Sequence, residues 1–189
     1  MNPDDFLLSA SGVRMPRIIY GTAWKREKTA GLVEQAIRTG FRGVDTACQP
    51  KHYHEAGVGE GIAACFQAGV LAREELYLQT KFTPVDGHDP QKIPYDPKAS
   101  LGDQVAQSIR CSLENLQTSY LDGLILHSPL PSRQQLLEAW QSMEQAVTEG
   151  RVKQLGISNC YHRSTLEFLF DAAGIKPAVL QNRFHAETG

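Results

Sequence analysis

LDGLILHSPLPSRQQLLEAWQSMEQAVTEGRVKQLGISN, residues 121–159, is the stretch that decides the architecture. It opens on a short run rich in branched apolar residues, Leu121 to His127, and closes on a second, Val152 to Ser158. Between them Leu136, Leu137, Trp140, Met143 and Val147 recur at helical spacing. Gly150 then follows, where a left-handed helix C-terminus costs a glycine least. Strand, helix and strand in that order make a crossover unit, which pairs its strands in parallel.

The unit repeats outward in both directions. Upstream strands are expected at Arg17 to Gly21, Phe41 to Asp45 and Leu76 to Lys81, and a downstream one at Ala178 to Gln181. Helical faces lie between them: Leu32, Val33, Ala36 and Ile37; Val58, Ile62, Cys65 and Phe66; Val105, Ile109, Leu113 and Leu116; Leu166, Leu169 and Phe170. Gly40, Gly69 and Gly174 mark helix ends as Gly150 does, and Lys98 to Ser100 lead into the third helix. The stretch from Phe82 to Ser100 has no period and holds Pro84, Pro90, Pro94 and Pro97, so it reads as a long loop and a candidate lid or specificity loop. An eight-stranded barrel and an open doubly wound sheet both satisfy this pattern, and both put chemistry at the carboxyl ends of the strands.

A chain of 189 residues with 41% hydrophobic and 21% charged residues suits one globular domain, residues 1–189. A formal charge of -2 advertises no basic surface for nucleic acid or anionic lipid. Cys48, Cys65, Cys111 and Cys160 match neither a zinc ribbon nor a dithiol motif, and read as reduced, mostly structural thiols. The acidic start, Met1-Asn2-Pro3-Asp4-Asp5, lacks the basic character of a leader, and no apolar run reaches the ~18 residues of a bilayer span. A cytoplasmic protein with no membrane partner is the expectation.

The predicted strands end on residues that an apolar run has no reason to include: Gly21 with Thr22, Asp45, Lys81, His127, Ser158 with Asn159, and Gln181. Singly, each has an ordinary explanation as a turn cap, a solvated lysine or a satisfied core histidine. Together they bring an acid, an ammonium and an imidazole to one mouth, where burial and mutual charge shift pKa values. Tyr53 lies in the loop just after Asp45.

Gly40-Phe41-Arg42-Gly43-Val44-Asp45-Thr46-Ala47, followed by Glu55 and Val58-Gly59, closely resembles the signature of the aldo-keto reductases. Gln79-Thr80-Lys81, Leu121 to His127, and Met143-Glu144 through Gly150 to Gly156-Ile157-Ser158-Asn159 resemble that family's lysine, histidine and nucleotide segments. The resemblance implies an α/β fold of the (β/α)8 TIM barrel type, truncated after about strand six, with NADP(H) as cofactor and a small-molecule carbonyl as substrate. It also implies a catalytic tetrad of Asp45, Tyr53, Lys81 and His127, and nucleotide contacts from Gly21, Thr22, Asp45, Ser158, Asn159 and Gln181. On this reading Tyr53 is the general acid, Lys81 lowers the phenol's pKa, Asp45 holds Lys81, and His127 orients the carbonyl. The carboxamide of a nicotinamide suits the polar groups of Ser158, Asn159 and Gln181.

The family's tyrosine stands five residues after the aspartate, a position that Pro50 fills here, and counting back from Glu55 puts His52 in the slot. Tyr53 is preferred because a phenol suits proton transfer; His52 is its rival. His52 and His54 near Asp45, Cys48 and Glu55 also admit a metal-dependent hydrolase, and a reductase-like shell without catalysis admits a binding or regulatory role. Gly57-Val58-Gly59-Glu60-Gly61 follows no strand, so it reads as helix packing instead of a dinucleotide fingerprint. An open six-stranded barrel is expected to expose two sheet edges to self-association.

Overall fold

The structure is a computed structural model that describes residues 5–184. A small hairpin comes first, β1 (Phe6–Leu8) antiparallel to β2 (Arg14–Pro16). The main body follows as β3 (Tyr20–Gly21), α1 (Thr29–Arg38), β4 (Gly43–Asp45), α2 (Glu55–Gln67), β5 (Tyr77–Phe82), α3 (Leu101–Asn115), β6 (Gly123–Leu126), α4 (Arg133–Thr148), β7 (Leu155–Ser158), α5 (Arg163–Ala172) and β8 (Val179–Gln181). Strands β3 to β8 form one parallel sheet in chain order. All the expected strands are present, most of them shorter than read and the first most so: residues 17–19 lead into it, and pairing begins only at Tyr20 opposite Val44.

The sheet is curled. In a flat sheet β5 and β8 would lie three inter-strand steps, roughly 14 Å, apart. Gln79 on β5 nevertheless donates to Gln181 on β8 at 3.2 Å. Side chains on that concave side meet across the interior, which makes the sheet a half-barrel with helices outside. The convex side carries the core, where Val33, Ile37, Val58, Ile62, Val105, Ile109, Trp140 and Met143 of the helices bury against Val44, Leu78, Leu124, Leu126 and Ile157. Phe170, read as part of the apolar face of α5, is instead 49% exposed. Among the described residues no helix is long and apolar enough to cross a membrane.

Two glycines of α2 set the helix spacing. A β-carbon on Gly59 would strike the backbone carbonyl of Asn115, and one on Gly61 that of Ala30, so α2 lies directly against both α3 and α1. The glycine run is a packing stripe. The stretch read as a candidate lid is held down: Tyr95 is buried and donates its hydroxyl to the Thr83 carbonyl at 2.6 Å, His88 bonds the same carbonyl at 3.0 Å, and Gln49 donates to the Gly87 carbonyl at 2.8 Å.

Candidate active site

Asp45 ends β4 and Lys81 stands near the end of β5, and the concave curl turns both inward. Lys81 is 2% exposed, and its Nζ donates to both carboxylate oxygens of Asp45 at 2.6 Å and to the Thr46 carbonyl at 2.8 Å. Those acceptors use all three ammonium protons. Burial pushes the lysine pKa down, and the Asp45 charge opposes that shift.

A file of polar side chains feeds the same carboxylate from below. Gln154 donates to the Tyr77 hydroxyl at 2.9 Å, Tyr77 donates to Gln79 Oε1 at 2.9 Å, and Gln79 Nε2 donates to Asp45 Oδ1 at 2.7 Å. Gln79 is not among the site residues expected from the sequence. Its signal was strand alternation, since residues 77, 79 and 81 share one face of β5.

Tyr53 reaches this cluster from the β4–α2 loop, which turns on the Gln49 carbonyl that accepts from the amides of His52 and Tyr53. Lys81 Nζ lies 5.3 Å from the Tyr53 ring centroid, and the Tyr53 and His127 rings meet edge to face at 6.0 Å. His52 is placed elsewhere, with its ring against Trp24 at 4.0 Å. Among the described residues the Tyr53 hydroxyl has no hydrogen-bond partner, and a cavity of about 380 Å³ lined by Trp24, Lys51, His52 and His54 opens beside it. One electrostatic expectation is reversed. The phenol pKa is pushed up to about 12, by burial first and by the Asp45 charge second. Lys81 was expected to lower it, but its ammonium is engaged by Asp45 and Thr46.

His127 follows β6 directly. Its Nδ1 lies 2.7 Å from the Thr83 hydroxyl, and Nε2 has no partner among the described residues. Burial, then the Lys81 charge, lowers its pKa to about 4, so the imidazole is neutral at pH 7. Thr83 was missed in the sequence, because a lone threonine after a strand carries no signal of its own.

On the far side of the mouth Ser158 donates to the Gln181 carbonyl at 2.6 Å, and Asn159, in a left-handed conformation (φ 53°), donates to the His127 carbonyl at 2.7 Å. Asn159 Oδ1 and Gln181 Nε2 remain without partners among the described residues, which leaves one acceptor and one donor at the rim. Gly21 has open space where a side chain would be. Thr22 is only 1% exposed, and its hydroxyl bonds the Asp45 carbonyl at 2.9 Å, so it clamps β3 to β4.

A profile of the Aldo/keto reductase family matches residues 17–187. The chain belongs to this family. Among curated aldo/keto reductase relatives, methylglyoxal reductase DkgA of Yersinia pestis is 31% identical over 176 residues, covering 92% of this chain and 55% of that protein. The uncharacterized oxidoreductase YtbE of Bacillus subtilis is 33% identical over 177 residues, covering 93% of this chain and 57% of that one. Of solved structures, an aldo/keto reductase from Brucella melitensis superposes with a TM-score of 0.77 at 28% identity, over 95% of this chain and 63% of that one. A Bombyx mori aldo-keto reductase in complex with NADP gives 0.79 at 25% identity, over 95% and 58%. The chain thus spans rather more than half the length of these aldo/keto reductases.

The rival metal site does not assemble as a ligand set. Among the described residues no group of three His, Cys, Asp or Glu side chains is arranged to hold a metal ion. Glu55 is buried instead among the Thr80, Ser112 and Asn115 side chains, all three donating to its carboxylate.

Proposed function

We propose that this site reduces the carbonyl of a small aldehyde or ketone to an alcohol with NADPH, and that Tyr53 is the general acid. The observation that carries the reading is the approach of Tyr53 to Lys81 and His127, beside a cavity and above the Lys81–Asp45 pair. The partnerless Asn159 Oδ1 and Gln181 Nε2 fit the NH2 and the oxygen of a nicotinamide carboxamide, respectively. NADPH, when bound, supplies the hydride.

The chain's own part is to bind the carbonyl oxygen and protonate it. A neutral His127 that accepts from the Thr83 hydroxyl at Nδ1 carries its proton on Nε2 and donates from there to the carbonyl oxygen, fixing its direction. Tyr53, protonated at rest, gives its hydroxyl proton to the developing alkoxide. The phenolate then formed lies beside the Lys81 ammonium, whose attraction acts on that product of proton transfer more than on the resting phenol. Asp45 keeps Lys81 charged and in place.

Nucleotide titration followed by tryptophan fluorescence, and turnover with a panel of carbonyls that includes methylglyoxal, the substrate in the name of the Yersinia pestis relative, test this reading. Tyr53→Phe is expected to lower turnover by a factor on the order of 10³ while leaving nucleotide affinity nearly unchanged. A variant that keeps most of its rate moves the acid to another residue, His52 first. A folded chain that binds no NADPH at millimolar concentration favours the non-catalytic binding role.

A further inference from the structure

Two of the four cysteines meet at one cavity although they stand 63 positions apart in the chain. Cys48 sits on the β4–α2 loop between Asp45 and Tyr53, 2% exposed. Cys111 is half-buried on α3. Both line a cavity of about 220 Å³ that also touches Tyr53 and Glu55. Their thiols lie close enough in it for each to shift the other's pKa. The Cys111 sulfur also accepts from Asn115 Nδ2 at 3.4 Å. Among the described residues the other two thiols have no such neighbour: Cys65 faces the Glu34 carbonyl at 3.8 Å and Cys160 the His162 carbonyl at 4.0 Å.

We propose that Cys48 and Cys111 are a peroxide-responsive pair, in which Cys111 is oxidised first and Cys48 closes a disulfide beside the loop that carries Tyr53. The two sulfurs differ in the way such chemistry requires. The pKa of Cys111 is lowered, by the neighbouring Cys48 thiol first and also by the hydrogen bond its sulfur accepts from Asn115, both of which favour its thiolate. Cys48 keeps its proton, because the Cys111 sulfur beside it, burial and the Glu55 charge all raise its pKa. The Cys111 thiolate attacks hydrogen peroxide: an S–O bond forms, the O–O bond breaks, and the hydroxide released takes the proton that Cys111 has given up. The Cys48 sulfur then attacks the sulfenic acid: the S–S bond forms, the S–O bond breaks, and the departing hydroxide leaves as water with the Cys48 proton. In sum two thiols are oxidised, and one peroxide is reduced to two waters. The disulfide takes the Cys48 proton away from beside the Glu55 carboxylate and ties the β4–α2 loop to α3.

Peptide mapping without reductant, after titration of the intact chain with hydrogen peroxide, reads the result independently of any reductase activity. The expected product is a Cys48–Cys111 cross-linked peptide lacking two hydrogens and reversed by dithiothreitol, with Cys65 and Cys160 still free. In Cys48→Ser, dimedone should trap a sulfenic acid at Cys111; in Cys111→Ser, Cys48 should stay unmodified at the same dose. Should a variant fail to fold, the wild-type map decides alone. Oxidation reaching Cys65 or Cys160 first, a Cys111 sulfenic acid that persists in the wild type, or no oxidation at all would overturn the proposal.

Discussion

A buried ammonium survives only with its protons accepted, and Lys81 meets that condition through Asp45 and the Thr46 carbonyl. The neighbouring imidazole is the opposite case, since burial and the same lysine keep His127 neutral. Its folded pKa, about 4, lies below the ~6.5 of an unfolded histidine, so the unfolded chain takes up a proton that the folded chain refuses. Stability from this group is complete above about pH 6.5 and is lost as pH falls through 4, by roughly 3 kcal/mol. Urea midpoints measured between pH 7 and 4 should fall, and His127→Gln should fall less steeply; equal slopes would remove His127 as the source. His88, also lowered by burial, adds to the slope in both proteins. That Asp45, Lys81 and His127 gather at one mouth was legible in the sequence because ionisable groups at strand ends contradict the apolar runs that precede them. Thr83 and Gln79 were not, because hydroxyls and amides occur everywhere and only their partners distinguish them.

Elements were legible wherever one face is apolar. Gly40, Gly69 and Gly150 do adopt positive φ after their helices, at 111°, 66° and 73°, whereas Gly174 does not. There α5 ends through an extended Ala173, whose amide bonds the Leu169 carbonyl. The β1–β2 hairpin escaped the periodic reading because three-residue strands are too short to show alternation, and only the Gly12 turn at φ 74° marks it. Glycines within helices divide by their neighbours. Gly31→Ala on the exposed side of α1 meets nothing within 4 Å and should stabilise the chain by about 0.5–1 kcal/mol. Gly59→Ala must push α2 off the Asn115 carbonyl and should destabilise it by about 1–3 kcal/mol. Thermal melts of the pair should move in opposite directions; two shifts of one sign would refute the direct α2–α3 contact.

At the scale of the whole molecule the half-barrel leaves β3 and β8 each with a single strand neighbour among the described residues. Ile18, Leu180 and Phe184 near those edges are 70%, 48% and 88% exposed. Edges flanked by apolar groups invite pairing, so sedimentation velocity should show association that grows with concentration and weakens in Leu180→Lys. A monomer at all concentrations would show these edges to be inert. Curvature itself rests partly on one amide contact, Gln79 to Gln181. Any small molecule gripped by Gln181 would therefore favour the bent sheet over a flatter one, and by reciprocity whatever bends the sheet would tighten the grip. Amide-proton exchange along β8, slowed by occupancy of the mouth, would then measure a coupling energy between shape and affinity.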